Sequence, residues 1–315
     1  MKFARQTTLR KAAVLSGNGV HSNAPVRVVL RPAHADSGIT FLRTGLPDGG
    51  NRAIEAEWSR VSATDLCTVL GDTTKGSVST VEHLMAALAG LGVDNVTIEV
   101  DGPEMPILDG SAAVFVAAID KVGLRSLPVG RRYLKVLKPV RVEHGRSFSE
   151  LLPAPHGFHL DVEIDFPAAA IGRQRKCVDL TPTAFRHEIS HARTFGLLSD
   201  VKRLWELGFA LGSSLENSVA VDAERVLNPE GLRSSDEFVS HKILDAIGDL
   251  ALAGAPLIGS YRAFCPGHKM NVLVLKALFA DQKAFAFVEE ALPVEAGFYP
   301  DFALPAFPAY ATEVN

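Results

Sequence analysis

Strand-like and helical runs alternate in the same order in the two halves of this 315-residue chain, and that order constrains the fold more than any other feature. In the first half, residues 26–30 and 38–42 read as strands. Residues 80–89 are rich in helix formers and stop at Gly90 and Gly92, so they read as a helix. A strand at 95–100, the turn Asp101-Gly102-Pro103-Glu104 and a helical pattern at 111–122 follow. The second half predicts strands near 133–142 and 159–165, a helix at 240–254, a strand at 257–264 and a helix at 271–279. Strand, helix, strand, helix thus occurs once in each half, which suggests a structural duplication without residue identity. Short mixed strands followed by helices predict an α+β fold of layered sheets and helices. Residues 123–132, with Gly, Pro and arginines, read as a linker, giving domains at 1–127 and 128–315. The tail at 298–315, with its prolines and alanines, is expected to be loosely ordered.

Composition excludes several function classes. With 47% hydrophobic and 22% charged residues, the chain can bury a sizeable core. A net charge of −4 gives no reason to expect nucleic acid, so an anionic ligand needs a local basic pocket. Cys67, Cys177 and Cys265 are odd in number and never spaced C-x-x-C, which argues against disulfides and cysteine-rich zinc sites. Among the first twenty residues only 12–15 form an apolar run, too short for a secretory signal. No stretch reaches the ~18 apolar residues of a spanning helix. A reducing, cytoplasmic setting is expected. No GxGxxG or Walker-type loop is present.

The ten histidines supply the candidates for chemistry. His34, His144, His156, His159, His187 and His191 lie in polar or loop-like contexts and read as surface residues. His83 follows Glu82 at the start of a helix, but Ser79 with Glu82 also matches a capping box, which needs no catalysis to explain it. His241 and Asp245 stand four apart, about 40° from one another on a helix, so both can point at one ion. Such a pair is also a common helix contact. Asp249 lies a further turn along the same face, too far from His241 to share its ion. His268, at a strand–helix junction, can project into a cleft or cap the helix. The combination is sharper than its parts. His83, His241 and Asp245 would make a three-ligand zinc site with one position open. Glu82 beside it could deprotonate water, His268 could protonate a leaving amine, and Asp249 could hold that histidine.

Ser79-Thr80-Val81-Glu82-His83-Leu84 with 86–92 and Asp94-Asn95, and Phe238-Val239 with 241–250, closely resemble the two signatures of the UDP-3-O-acyl-N-acetylglucosamine deacetylases. Gly19-Val20-His21-Ser22, 106–111, Ala192-Arg193-Thr194-Phe195-Gly196, Arg225-Val226-Leu227-Asn228 and Gly231-Leu232-Arg233 agree in order and spacing, from about residue 5 to about residue 295. The resemblance implies two similar domains, each a β-sheet layered with helices, with the active site between them. It implies zinc, or ferrous iron, on His83, His241 and Asp245, with Glu82 as general base, His268 as catalytic histidine and Asp249 as its partner. Thr194 would stabilise the oxyanion, Lys242 would bind polar groups of the substrate, and Leu66, Cys67 and Phe195 would line the site. Cys67 reads equally as a small buried hydrophobe. The insert 196–219 would build a hydrophobic passage for the acyl chain, with Leu198, Val201, Ala210 and Leu215 as candidate walls; core packing is the competing reading. The implied reaction removes the 2-acetyl group of UDP-3-O-acyl-N-acetylglucosamine, the committed step of lipid A biosynthesis in Gram-negative bacteria, by a monomer. Two lysines that hold the nucleotide in several relatives are here Cys265 and Ser147; Arg146 or Arg262 are the candidate replacements, although a guanidinium is no simple substitute for an ammonium. A metal-binding protein without catalysis would lack Glu82 or His268, and a zinc protease of the common type would carry H-E-x-x-H; neither pattern is found.

Overall fold

The computed structural model describes residues 4–289. The tail at 298–315 and the end of the second predicted domain lie outside them. A five-stranded sheet runs in the order Ala13–Asn18, Pro25–Pro32, Val96–Val100, Ile39–Arg43, Arg52–Glu55. Its pairs are antiparallel except Ile39–Arg43 with Val96–Val100, which is parallel. A seven-stranded sheet is organised around Leu257–Phe264. Strand Phe158–Asp165 runs parallel to it, Ser147–Leu152 antiparallel, and Arg132–Val136 parallel near its start. The pattern along Phe158–Asp165 shows why such residues form a strand. Phe158, Leu160, Val162 and Ile164 are buried, while Asp161 and Glu163 turn outward to Arg175 and Arg173 on the next strand.

Among the described residues, five helices of nine or more residues complete the layers: α1 (Glu82–Leu91), α2 (Ala113–Val122), α3 (Leu198–Glu206), α4 (Glu237–Leu250) and α5 (His268–Ala280). In α1 only Ala89 is not fully buried, and in α4 only Lys242. A helix covered on all sides belongs in the centre of a fold. The two pack against each other, and one contiguous apolar core runs through both sheets and both helices. Gly248 makes their contact possible: a Cβ there would lie 2.0 Å from the Glu82 carbonyl oxygen. The architecture is the expected α+β arrangement of sheets layered with helices.

Three local expectations are corrected. Residues 123–132 are not a free linker, because Leu124–Gly130 pairs antiparallel with Arg5–Leu9. Pairing with a distant partner overrides the composition, and Pro128 falls within the register shift, where a missing N–H costs little. The single strand expected at 133–142 is two, Arg132–Val136 and Val140–His144, parted at Pro139. The first helix starts at Glu82 rather than residue 80, since Thr80 sits at φ 57, outside helical space.

Candidate active site

The helices α1 and α4 bring three candidate ligands together. One donor atom from each of His83, His241 and Asp245 lies within 4.8 Å of the others, and all three side chains are buried. Asp245 Oδ1 is 3.4 Å from His241 Nε2 and 3.8 Å from His83 Nε2, too long for hydrogen bonds. Metal–ligand bonds of about 2.0–2.1 Å in a tetrahedron set ligands roughly 3.4 Å apart, so the spacing suits an ion between them. The donors are prepared for one. His241 Nδ1 donates to the Ala192 carbonyl at 3.0 Å, which leaves the Nε2 lone pair facing Asp245. Burial and the neighbouring His241 push His83 down to about 3, so its imidazole is neutral. Burial likewise lowers the pKa of His241. Burial works against ionisation of Asp245, yet its interaction with His241, and then with the cations Lys242 and His268, holds it below its ordinary value. Its second oxygen accepts from Lys242 Nζ at 2.8 Å. Two neutral imidazoles and one carboxylate fit a divalent transition metal with one coordination position left over.

The candidate acid–base groups stand beside this cluster. Glu82 does not form the capping box: no side chain caps α1, and Glu82 Oε2 accepts the Thr68 N–H at 3.1 Å. Burial pushes Glu82 up to about 7, with the Asp249 and Asp245 charges adding to it and His268 opposing. His268, the first residue of α5, places Nε2 at 3.8 Å from Glu82 Oε1 and donates through Nδ1 to Asp249 at 2.9 Å. Burial disfavours its charge, but the Asp249 and Glu82 carboxylates push it up to about 10. Asp249 has no exposed surface and also accepts from Thr68 Oγ1 at 2.6 Å and Asn271 Nδ2 at 2.8 Å. Tyr261 in turn donates to Asn271 at 2.6 Å.

Thr68 and Asn271 were not anticipated. Asn271 carried a readable signal, being one turn after His268 on the same helix; Thr68 carried none. Leu66 (φ 69), Thr80 (φ 57) and Cys265 (φ 47) are all left-handed without being glycine. Each such residue costs about 1–3 kcal/mol, and here each lies within three residues of Thr68, Glu82 or His268.

The other candidates fall as follows. Thr194 donates its N–H to the Gly110 carbonyl and accepts from Val219 N–H, which fixes its backbone. Phe195 meets Phe238 and His241 edge-on and receives the Lys242 ammonium 5.5 Å from its ring centre. Leu66 is exposed; Cys67 is buried, and burial together with the Glu82 charge pushes its thiol up to about 12, leaving it protonated. Leu198 and Val201 are half-buried on α3, Ala210 is buried, and Leu215 is exposed. The loop after α3 is fastened to the first half of the chain, with Leu211 N–H donating to the His21 carbonyl and Gly212 N–H to that of Val20. Arg262 is taken up by Glu150 at 2.6 Å. Arg146 is likewise paired, with Asp165 Oδ2 at 2.9 Å, and lines a cavity of about 350 Å³ with Phe166, Cys265 and Pro266, beside the turn into His268.

A family model described as LpxC: UDP-3-O-acyl N-acetylglycosamine deacetylase matches residues 6–280. The UDP-3-O-acyl-N-acetylglucosamine deacetylases of Brucella ovis and of Brucella melitensis biotype 2 are each 48% identical to the chain over 287 residues, 91% of this chain and 99% of theirs. Among the described residues no helix is long and apolar enough to cross a membrane. A match across nearly the whole length, on a fold that gathers both signature motifs into one buried cluster, makes this chain a member of the UDP-3-O-acyl N-acetylglycosamine deacetylase family.

Proposed function

We propose that the chain hydrolyses the 2-acetamido group of UDP-3-O-acyl-N-acetylglucosamine to the free amine and acetate, at the entry to lipid A assembly. The observation that carries this reading is the junction of a His₂Asp donor set with a buried glutamate–histidine–aspartate relay. His83, His241 and Asp245 would hold zinc or ferrous iron, which supplies Lewis acidity toward the amide carbonyl when bound. Glu82 takes a proton from the attacking water. Thr194 turns its hydroxyl to the oxygen on which negative charge develops. His268 gives its proton to the nitrogen, because an amide nitrogen does not leave as an anion. Asp249 keeps His268 oriented and charged until then. Lys242 steadies Asp245 and presents its remaining protons to the sugar.

Two binding roles belong to the same reading. The segment 196–219 encloses the acyl chain, with Leu198, Val201, Ala210 and Leu215 among its walls. Arg146, on the cavity beside Cys265, takes the anionic nucleotide in place of the family lysines. Residues 1–127 and 128–315 form two domains with the site between them, in a cytoplasmic monomer. The test is a mass-spectrometric assay of acetate release from the acylated sugar nucleotide, before and after chelation, with zinc or ferrous iron restored. Full turnover by exhaustively chelated protein would overturn the metal assignment, and absence of acetate release by metal-loaded protein would overturn the reaction.

A further inference from the structure

Arg193, Glu237 and Arg233, which this chemistry leaves unused, meet in one place. Arg193 and Arg233, from two separate motifs, converge on the carboxylate of Glu237, and Arg233 ties Asp109 of a third motif to them. Glu237 is 0% and Arg193 2% exposed. Arg193 donates to Glu237 Oε1 twice, from its main-chain N–H at 3.0 Å and from Nε at 2.9 Å, and its Nη2 reaches Oε2 at 3.2 Å. Its Nη1 donates to Glu230 at 2.7 Å and its Nη2 to the Gly231 carbonyl at 2.8 Å. The Arg233 N–H donates to Glu237 Oε2 at 2.7 Å, while its guanidinium holds Asp109 at 2.9 Å and the His191 carbonyl at 3.0 Å.

A buried ion pair is weak evidence of stability, because apolar residues of similar volume often serve as well. Geometry gives this one a different reason. Arg193 lies between two groups of the site. Ala192, before it, offers the carbonyl that His241 Nδ1 binds; Thr194, after it, is the proposed oxyanion donor. Glu237 stands one helical turn before His241 on α4. Backbone and side chain of a single residue are therefore fastened to the helix that carries the ligand. On the far side the Thr194 N–H is bound to the Gly110 carbonyl, and Gly110 approaches so closely that a Cβ there would lie 1.8 Å from the Asn217 carbonyl oxygen.

The geometry points to Arg193 and Glu237 as a positioning clamp that sets the Ala192 carbonyl against His241 and Thr194 beside it. The clamp fixes the His241 tautomer and the direction of Nε2, and through these the affinity for metal. It rests on the metal reading given above.

The test uses the full chain with Arg193→Lys, Glu237→Gln and the double variant Arg193→Met/Glu237→Met, in which both charges are removed together. Each is compared with wild type well below its melting temperature. The readouts are the zinc dissociation constant by chelator competition, the visible spectrum of the cobalt-substituted protein, and kcat and KM separately. Loss of a residue that orients a ligand weakens metal binding about 10–100-fold, and that loss, a changed cobalt spectrum and a fall in kcat larger than the change in KM are expected here. Variants that melt earlier but keep wild-type zinc affinity and spectrum would reduce the pair to a structural role and overturn the clamp. Histidine-selective nitrogen NMR of the metal-free wild type tests the same contact without a variant: His241 protonated on Nδ1 is required, and protonation on Nε2 refutes it. A wild-type chain that binds no zinc would instead refute the metal reading.

Discussion

Replacing Gly248 with alanine should disable the site from outside it. The added Cβ would sit 2.0 Å from the Glu82 carbonyl oxygen, where real Cβ atoms keep at least 3.0 Å, so α1 and α4 must part by 1.0 Å or more. The contact is with main chain, which has no rotamer to move into. Glu82 and His83 ride on α1, and His241, Asp245 and Asp249 on α4. The 3.8 Å between His83 Nε2 and Asp245 Oδ1 then widens past the roughly 4.2 Å that two ligand bonds of about 2.1 Å can span. Overpacking of this kind costs about 1–3 kcal/mol, and misplacement by about 1 Å costs roughly 10²-fold in rate. The expected result is a melting temperature lower by roughly 2–10 °C, weaker zinc retention and a fall in kcat/KM of about 10²-fold. Gly267→Ala is the control: it adjoins His268, but its Cβ meets nothing within 4 Å and its backbone is extended at φ −156. Zinc affinity, melting and acetate release are measured on both proteins. A Gly248→Ala protein with wild-type zinc affinity and rate would show that the helix contact does not set the site.

Glu82→Gln should keep the fold and the three ligands while turnover falls by about 10²–10⁴-fold; a stable, zinc-loaded and fully active variant would remove Glu82 from the chemistry. The rate should rise with pH as Glu82 loses its proton, at or below about 7 once a cation is bound nearby, and fall as His268 loses its own near about 10. Asp249→Asn removes the leading charge that raises His268, so the falling limb should move to lower pH; an unmoved limb in the kcat profile would assign it to another group. Affinity should grow by about fourfold for each methylene of the acyl chain, the equivalent of about 0.8 kcal/mol, and equal turnover of a substrate without that chain would count against the passage at 196–219.

The central helices were readable because their signals are local. The i, i+4 spacing of His241 and Asp245 is set by helix geometry alone, and the strand at 257–264 was delimited by its own apolar run. The pairing of Arg5–Leu9 with Leu124–Gly130 was not readable, since nothing in the latter marks it except a partner more than a hundred residues away. Thr68 was missed for the same reason: it joins Glu82 and Asp249 only after both halves have packed. The capping box failed because the carboxylate of Glu82 had a second donor, the Thr68 N–H, that local sequence could not show. Leu66, Thr80 and Cys265 strain the backbone against local preference, and no propensity argument finds such positions.

Glu82 and His83 come from the first third of the chain, His241, Asp245 and Asp249 from α4, and His268 from the start of α5. A chain emerging from the ribosome therefore presents the proposed proton acceptor and one imidazole long before the rest. Until α4 arrives, the face of α1 that packs on it has no cover, and Glu82 lacks the histidine proposed as the acid opposite it. Nascent chains fold from the amino end, so the first sheet can form early while remaining chemically silent. On the proposed mechanism the site is complete only once residue 268 is in place against Asp249, so a protein truncated before that point should release no acetate even where it folds.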